Sequence, residues 1–112
     1  MTNYEFGDVV LVAFPQSGTP VRKRRPALVV LDIGDADIVL APITTRERTG
    51  PGDAPLHTWA ASGLLHASWV RLAKIACLAK GDITRHLGHL GDDDMQRLVA
   101  LWQALYPFSP RS

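Results

Sequence analysis

Arg22-Lys23-Arg24-Arg25-Pro26-Ala27-Leu28-Val29-Val30-Leu31 places a dense positive charge at the mouth of an apolar, β-branched run. Four adjacent like charges repel one another and resist burial, so a chain of nearly balanced charge has little structural reason to gather them. An anionic partner supplies a reason; a solvated basic loop tip is the alternative. Pro26 biases Arg25 toward extended backbone and removes one ladder donor, which suits the first residue of a strand. Arg25 is therefore the arginine expected to be held in a fixed position.

Two runs of the same character flank this one. Residues 8–14, 25–31 and 37–43 are of strand length and are bounded by Gly7, Pro15, Pro26, Gly34 and Pro42, so all three read as strands. A weaker fourth candidate lies at residues 56–59. A fifth covers residues 67–78, where the period-two phase slips near Leu72-Ala73 and predicts a bulge or bend. Runs apolar on both faces usually belong to parallel sheets, but these need crossover helices, and no 3.6-residue periodicity occurs before residue 90. The expected fold is mainly β: a small, strongly curved antiparallel barrel with one C-terminal helix. Gly91-Asp92-Asp93-Asp94 supplies the break, N-cap and acidic first turn of that helix. Met95, Leu98, Val99, Trp102, Leu105 and Tyr106 form its apolar stripe, and Pro107 ends it.

The bulk properties fit one domain over residues 1–112, with 46% hydrophobic and 21% charged residues and a formal charge of +1. Nucleic-acid affinity must then come from local clustering, because the global field is nearly neutral. Cys77 is alone, so neither an intramolecular disulfide nor a multi-cysteine metal site is possible, and it reads as a small buried hydrophobe. Met1-Thr2-Asn3-Tyr4 opens no signal-peptide pattern, and charges or prolines interrupt every apolar run well short of the roughly 20 residues that span a bilayer. A cytoplasmic protein without membrane contact is expected. The stretches at residues 15–24 and 45–55 are long loops for so small a barrel, and both carry Gly, Pro, Thr and basic residues.

No cofactor is expected. His57, His66, His86 and His89 lack cysteine partners and form no helical His-x-x-x-His pair, so the His86–His89 spacing reads as exposed or capping histidines rather than metal ligands. Ser17, Ser62 and Ser68 sit in no nucleophile-elbow context. What remains is cationic. RNA brings its own nucleophile, the 2′-OH, so an enzyme need only orient it, stabilise the phosphorane charge and move protons. An arginine fork suits that charge, and a hydroxyl such as that of Thr44 can donate a further hydrogen bond.

Gly7-Asp8-Val9-Val10-Leu11-Val12 with Phe14-Pro15, Arg24-Arg25-Pro26-Ala27-Leu28-Val29-Val30, and Ala41-Pro42-Ile43-Thr44-Thr45 together resemble the PemK/MazF family of toxin endoribonucleases. Ser68-Trp69-Val70-Arg71-Leu72-Ala73-Lys74-Ile75 and Leu87-Gly88-His89-Leu90 continue the resemblance across nearly the whole chain. It implies an SH3-like barrel of the PemK/MazF/CcdB type, a homodimer, metal-independent and sequence-selective cleavage of single-stranded RNA, and inhibition by a cognate antitoxin lying in the RNA groove. It also implies that Arg25, before the proline, takes part in proton transfer and charge stabilisation, and that Thr44 stabilises the transition state. Many relatives carry Gly-Ser-Glu-Gln in the first loop, where this chain has Gln16-Ser17-Gly18-Thr19-Pro20-Val21. Ser17, Arg24, Thr45 and Arg46 are the candidate substrate-binding residues.

Among the aromatics, Trp69 reads as core or interface and Trp102 as helix packing, which leaves Trp59 as the candidate for stacking on a base. Two rival functions stand beside the ribonuclease. A non-catalytic nucleic-acid-binding barrel would carry the same Arg25 and Thr44. A gyrase-poisoning toxin of similar fold ranks below it, because members of that family carry a C-terminal Trp-Gly-Ile and this chain ends Tyr106-Pro107-Phe108-Ser109-Pro110-Arg111-Ser112.

Overall fold

The three expected strands lie side by side. The computed structural model describes residues 3–15 and 18–106. It contains β1 (Asp8–Pro15), β2 (Arg22–Leu31), β3 (Asp37–Thr44), β4 (Asp53–Pro55), β5 (Trp69–Arg71), β6 (Ala76–Ala79), β7 (Ile83–His89) and α1 (Asp92–Leu105). The hydrogen-bonded order is β4-β5-β3-β2-β1-β7, with β6 also on β3, and every pairing is antiparallel. β3 is therefore shared along its length. Ile43 and Thr44 pair with β5, whereas residues 37–40 pair with β6. The predicted bend near Leu72 is the 3-10 turn Leu72–Lys74 that carries the chain from one partner to the other.

Curvature follows from connectivity. β6 lies on β3 and β7 on β1, two strands away, yet the 3-10 turn Lys80–Asp82 joins them directly. The outer edges must curl toward each other, and register shifts in β1–β7 and β2–β3 supply the local bending. The result is barrel-like without a closing ladder between β6 and β7 among the described residues. Inside the curl, Val10, Val12, Ala27, Val29, Ile38 and Leu40 pack with Leu78 and Ile83. The alternate residues Val9, Leu28, Ala41, Ile43 and Val70 face outward, where Leu98 of α1 and the loop residues Leu56 and Leu64 cover them. That double burial is why the runs are apolar at both phases.

Several expectations are corrected. β2 begins at Arg22 rather than Arg25, so the basic stretch placed in the loop at residues 15–24 extends the β1–β2 ladder and Pro26 lies inside the strand, opposite Leu11. The fourth strand is Asp53–Pro55 rather than residues 56–59, because Leu56 leaves the ladder and residues 57–63 form turns. β7 escaped the sequence reading: Thr84, Arg85 and His86 are exposed, leaving Ile83 and Leu87 as its only strong apolar marks. Cys77 is exposed on β6. Gly91, not an aspartate, occupies the N-cap of α1. Leu98 and Met95 pack as expected and Leu101 joins them, whereas Val99 and Tyr106 are exposed. Pro107 and Ser17 lie outside the described residues.

Buried polar contacts fix the curl. The Asp32 carboxylate, fully buried, pairs with Lys80 Nζ at 2.7 Å and accepts from the amides of Tyr4 and Gly34, tying the β2–β3 connection to the turn before β7. The Lys80 ammonium and the two amides outweigh burial and hold its pKa at about 2. Gly88 has no side chain where the Ser62 carbonyl presses on β7, and that contact seats the 58–63 turns against the barrel.

Candidate active site

Strand alternation sends successive side chains of the basic segment to opposite faces. Arg25 is in register with Val12 and shares the inner face at the barrel mouth, whereas Arg24 is in register with Ala13 and faces the other way. On the neighbouring strand Ala27 opposes Pro42, so two residues further on Arg25 stands beside Thr44. The sheet thus brings together the two residues expected to work together. Lys23, Arg24, Arg25, Pro26, Ile43, Thr44 and Thr45 line a cleft of about 310 Å³, and no carboxylate is among them.

Thr44 is half-buried, and its Oγ1 accepts a hydrogen bond from the Arg46 amide at 3.1 Å. That bond fixes the oxygen and leaves the hydroxyl proton free to point into the cleft. Arg46 thus orients Thr44 through its backbone, and among the described residues its exposed side chain is left free for other contacts. Arg25 is exposed too, and among the described residues its guanidinium has no ion pair or hydrogen bond. The expectation of a fixed arginine holds for its backbone, locked into the ladder, but not for its charged end. Arg22 differs, since its Nη1 and Nη2 donate to Asp82 Oδ1 and Oδ2 at 2.9 and 3.2 Å.

Pro26 and Thr45 also border a second cavity of about 510 Å³, whose apolar wall includes Leu11, Leu64 and Leu87 and whose lining includes His66 and Arg85. Sequence reasoning missed both polar residues, because no local pattern carries them: Arg85 faces Leu11 across the unforeseen β1–β7 pairing.

Two other polar clusters are accounted for by packing. Asp8 Oδ1 lies 3.0 Å from His89 Nδ1 and 3.3 Å from His86 Nε2, and Oδ2 accepts from the Glu5 amide. Burial pushes the Asp8 pKa up, but the amide and the imidazoles pull it below the usual carboxylate value. His57, Asp93 and Asp94 gather potential ligand atoms within 4.8 Å. Asp94, however, is fully buried and already accepts from the His57 amide at 2.9 Å, the Thr58 amide at 2.9 Å, Thr58 Oγ1 at 2.8 Å and Arg97 Nη2. Burial raises its pKa, and these donors more than reverse the effect. The cluster anchors the helix N-terminus.

The family model for PemK-like, MazF-like toxins of type II toxin–antitoxin systems matches residues 5–105. Among solved structures, the chain is similar to an endoribonuclease from a mycobacterial species, with a TM-score of 0.73 and 21% identity over 97% of this chain and 98% of that one. It is also similar to a mycobacterial endoribonuclease in complex with its cognate antitoxin, with a TM-score of 0.70 and 24% identity over 94% and 97% of the two chains. The MazE–MazF structure from Deinococcus radiodurans gives a TM-score of 0.72 and 18% identity over 97% and 100%. No curated protein matches the chain by sequence.

Proposed function

The chain belongs to the family of PemK-like, MazF-like toxins of type II toxin–antitoxin systems, and from that premise we propose that it is a sequence-selective, metal-independent endoribonuclease acting on single-stranded RNA. The observation that carries the reading is the juxtaposition of Arg25 and Thr44 in a cationic cleft with no internal anion. In the reaction the 2′-oxygen attacks the adjacent phosphorus as the bond to the 5′-oxygen breaks. The 2′-proton is lost and the 5′-oxygen gains one, giving a 2′,3′-cyclic phosphate and a 5′-hydroxyl. Arg25 neutralises the phosphorane charge with its fork, and Thr44 donates to a non-bridging oxygen. Arg24, Thr45 and Arg46 flank this pair and hold neighbouring phosphates. A shallow mouth of this kind admits splayed single strands and not stacked, paired bases.

The antitoxin-bound mycobacterial relative supports a protein partner of the same kind here. An antitoxin segment with carboxylates toward Lys23, Arg24 and Arg25 would compete with RNA for the cleft. Leu31 and Ile33, at 53% and 74% of full exposure at the end of β2, support a homodimer whose second copy covers them, and the cytoplasm is the compartment in which such a toxin meets its RNA.

The test is cleavage of single-stranded RNA in excess EDTA, with the product ends mapped. Undiminished activity and cyclic-phosphate ends are expected. Cleavage that appears only with added divalent metal would overturn the mechanism, and RNA binding without cleavage would make the protein a binding module.

A further inference from the structure

The register that joins Arg25 to Thr44 continues across the sheet. Thr44 pairs with Trp69 of β5, and Trp69 pairs with Pro55 of β4. Partners directly opposite in an antiparallel ladder share a face with Cβ atoms about 5 Å apart. Arg25, Thr44 and Trp69 therefore form one row of guanidinium, hydroxyl and indole on three adjacent strands, spanning about 10 Å at the usual strand spacing.

The three tryptophans differ in what they touch. Trp59 packs against the helix-side core, and so does Trp102, whose ring also lies 4.4 Å from that of Tyr106. Trp69 is half-buried and belongs to neither hydrophobic cluster, while its alternation neighbour Val70 is fully buried in the core. An indole outside the core, on the face of a phosphate-binding pair, presents the flat apolar surface on which bases stack. These placements reverse the expectation from sequence, in which Trp59 was the stacking candidate.

We propose that Trp69 stacks on a nucleobase flanking the scissile phosphate and positions the strand for cleavage, a role that rests on the ribonuclease reading above. Stacking is tolerant of base identity, so Trp69 would set affinity and register along the strand rather than choose among bases.

The experiment uses a single-stranded RNA that the protein cuts, made uncleavable by 2′-deoxy substitution at the cleaved nucleotide, with an abasic residue walked through the flanking positions. One abasic position should weaken binding of the unaltered protein about ten-fold. Trp69→Leu should cause the same loss on intact RNA and no further loss on that abasic RNA, while Trp69→Phe should restore most of the affinity. RNA should also quench tryptophan emission in the unaltered protein and do so far less in Trp69→Phe, a readout that survives even if the leucine variant unfolds. Equal affinity of the leucine and phenylalanine variants, additive losses from the variant and the abasic site, or quenching unchanged in Trp69→Phe would overturn the proposal. RNA cleavage that depends on Arg25 alongside any of those results would sink the stacking role alone; absence of RNA binding would sink both.

Discussion

At the start of the helix, Asp94 has no solvent exposure and four donors converge on its carboxylate, while Arg97 also reaches the Pro55 carbonyl and Asp93. At the barrel mouth, Lys23, Arg24 and Arg25 stand exposed in a row, and no carboxylate lines the cleft they form with Thr44. Both corners concentrate charge, but one is saturated from within. Repulsion between neighbouring exposed charges costs only about half a kcal/mol per pair in water, small enough for the fold to tolerate and too large to arise for no gain. Charge that holds this fold is paired; charge awaiting a partner is left open.

The largest effect should come from Arg25→Ala. Loss of a charged donor at a developing anion slows turnover by about 100- to 1,000-fold, while the melting temperature should stay near that of the unaltered protein because no described residue pairs with the guanidinium. Arg25→Lys should recover little, since an ammonium cannot reproduce the fork. Thr44→Val, which removes one hydrogen bond to a charged group, should cost about ten-fold. Near-normal initial rates with Arg25→Ala would put the chemistry elsewhere.

The opposite profile is expected at the paired corner. Asp94→Ala removes the acceptor of the His57 and Thr58 amides and one of the partners of Arg97 and should lower unfolding stability by about 2 kcal/mol, with the rate per folded molecule unchanged. Its pKa lies below the unfolded value, so the stabilisation from Asp94 is complete above about pH 4 and declines as pH falls through its native value. Asp32, held at about 2, follows the same sign. Urea midpoints between pH 7 and pH 2.5 should fall less steeply in the alanine variant than in the unaltered protein. Identical slopes would mean that the Asp94 network carries no pH-dependent stability.

The two corners were unequally visible in the sequence. Three central strands were legible because burial on both sides makes them apolar at every phase and prolines or glycines mark their ends. The opposite facing of Arg24 and Arg25 also follows from period two alone. What could not be read depends on register between distant strands. Trp59 and Trp69 are the same residue in comparably apolar surroundings, and only the pairing of Thr44 with Trp69 separates them. Residues 84–86 of β7 are polar and exposed, and Cys77 is too small for its type to reveal that β6 is an exposed edge. Asp94 was visible as a first-turn acid, but its four donors come partly from His57 and Thr58, far away in the chain.

The smallest effect, and the one that cuts across the division, belongs to Arg22. It sits in the basic segment yet is forked onto Asp82, so among the described residues it is the one member of Arg22-Lys23-Arg24-Arg25 that the fold has claimed. An exposed pair of this kind contributes at most about 1 kcal/mol, and Arg22→Ala should shift stability by no more than that and affinity for RNA by little. Asp82→Ala should do something the arginine change cannot. Freed from its carboxylate, Arg22 becomes available to a phosphate, and binding to uncleavable RNA should tighten a few-fold at low salt, with the dependence of log affinity on log salt steeper by about 0.7, the single-strand value per phosphate neutralised. The comparison is sharpened if that slope changes in Asp82→Ala and not in the Arg22→Ala, Asp82→Ala double variant. A slope unchanged by removing Asp82 would mean that Arg22 lies outside the path of the RNA, and that the open corner begins at Lys23.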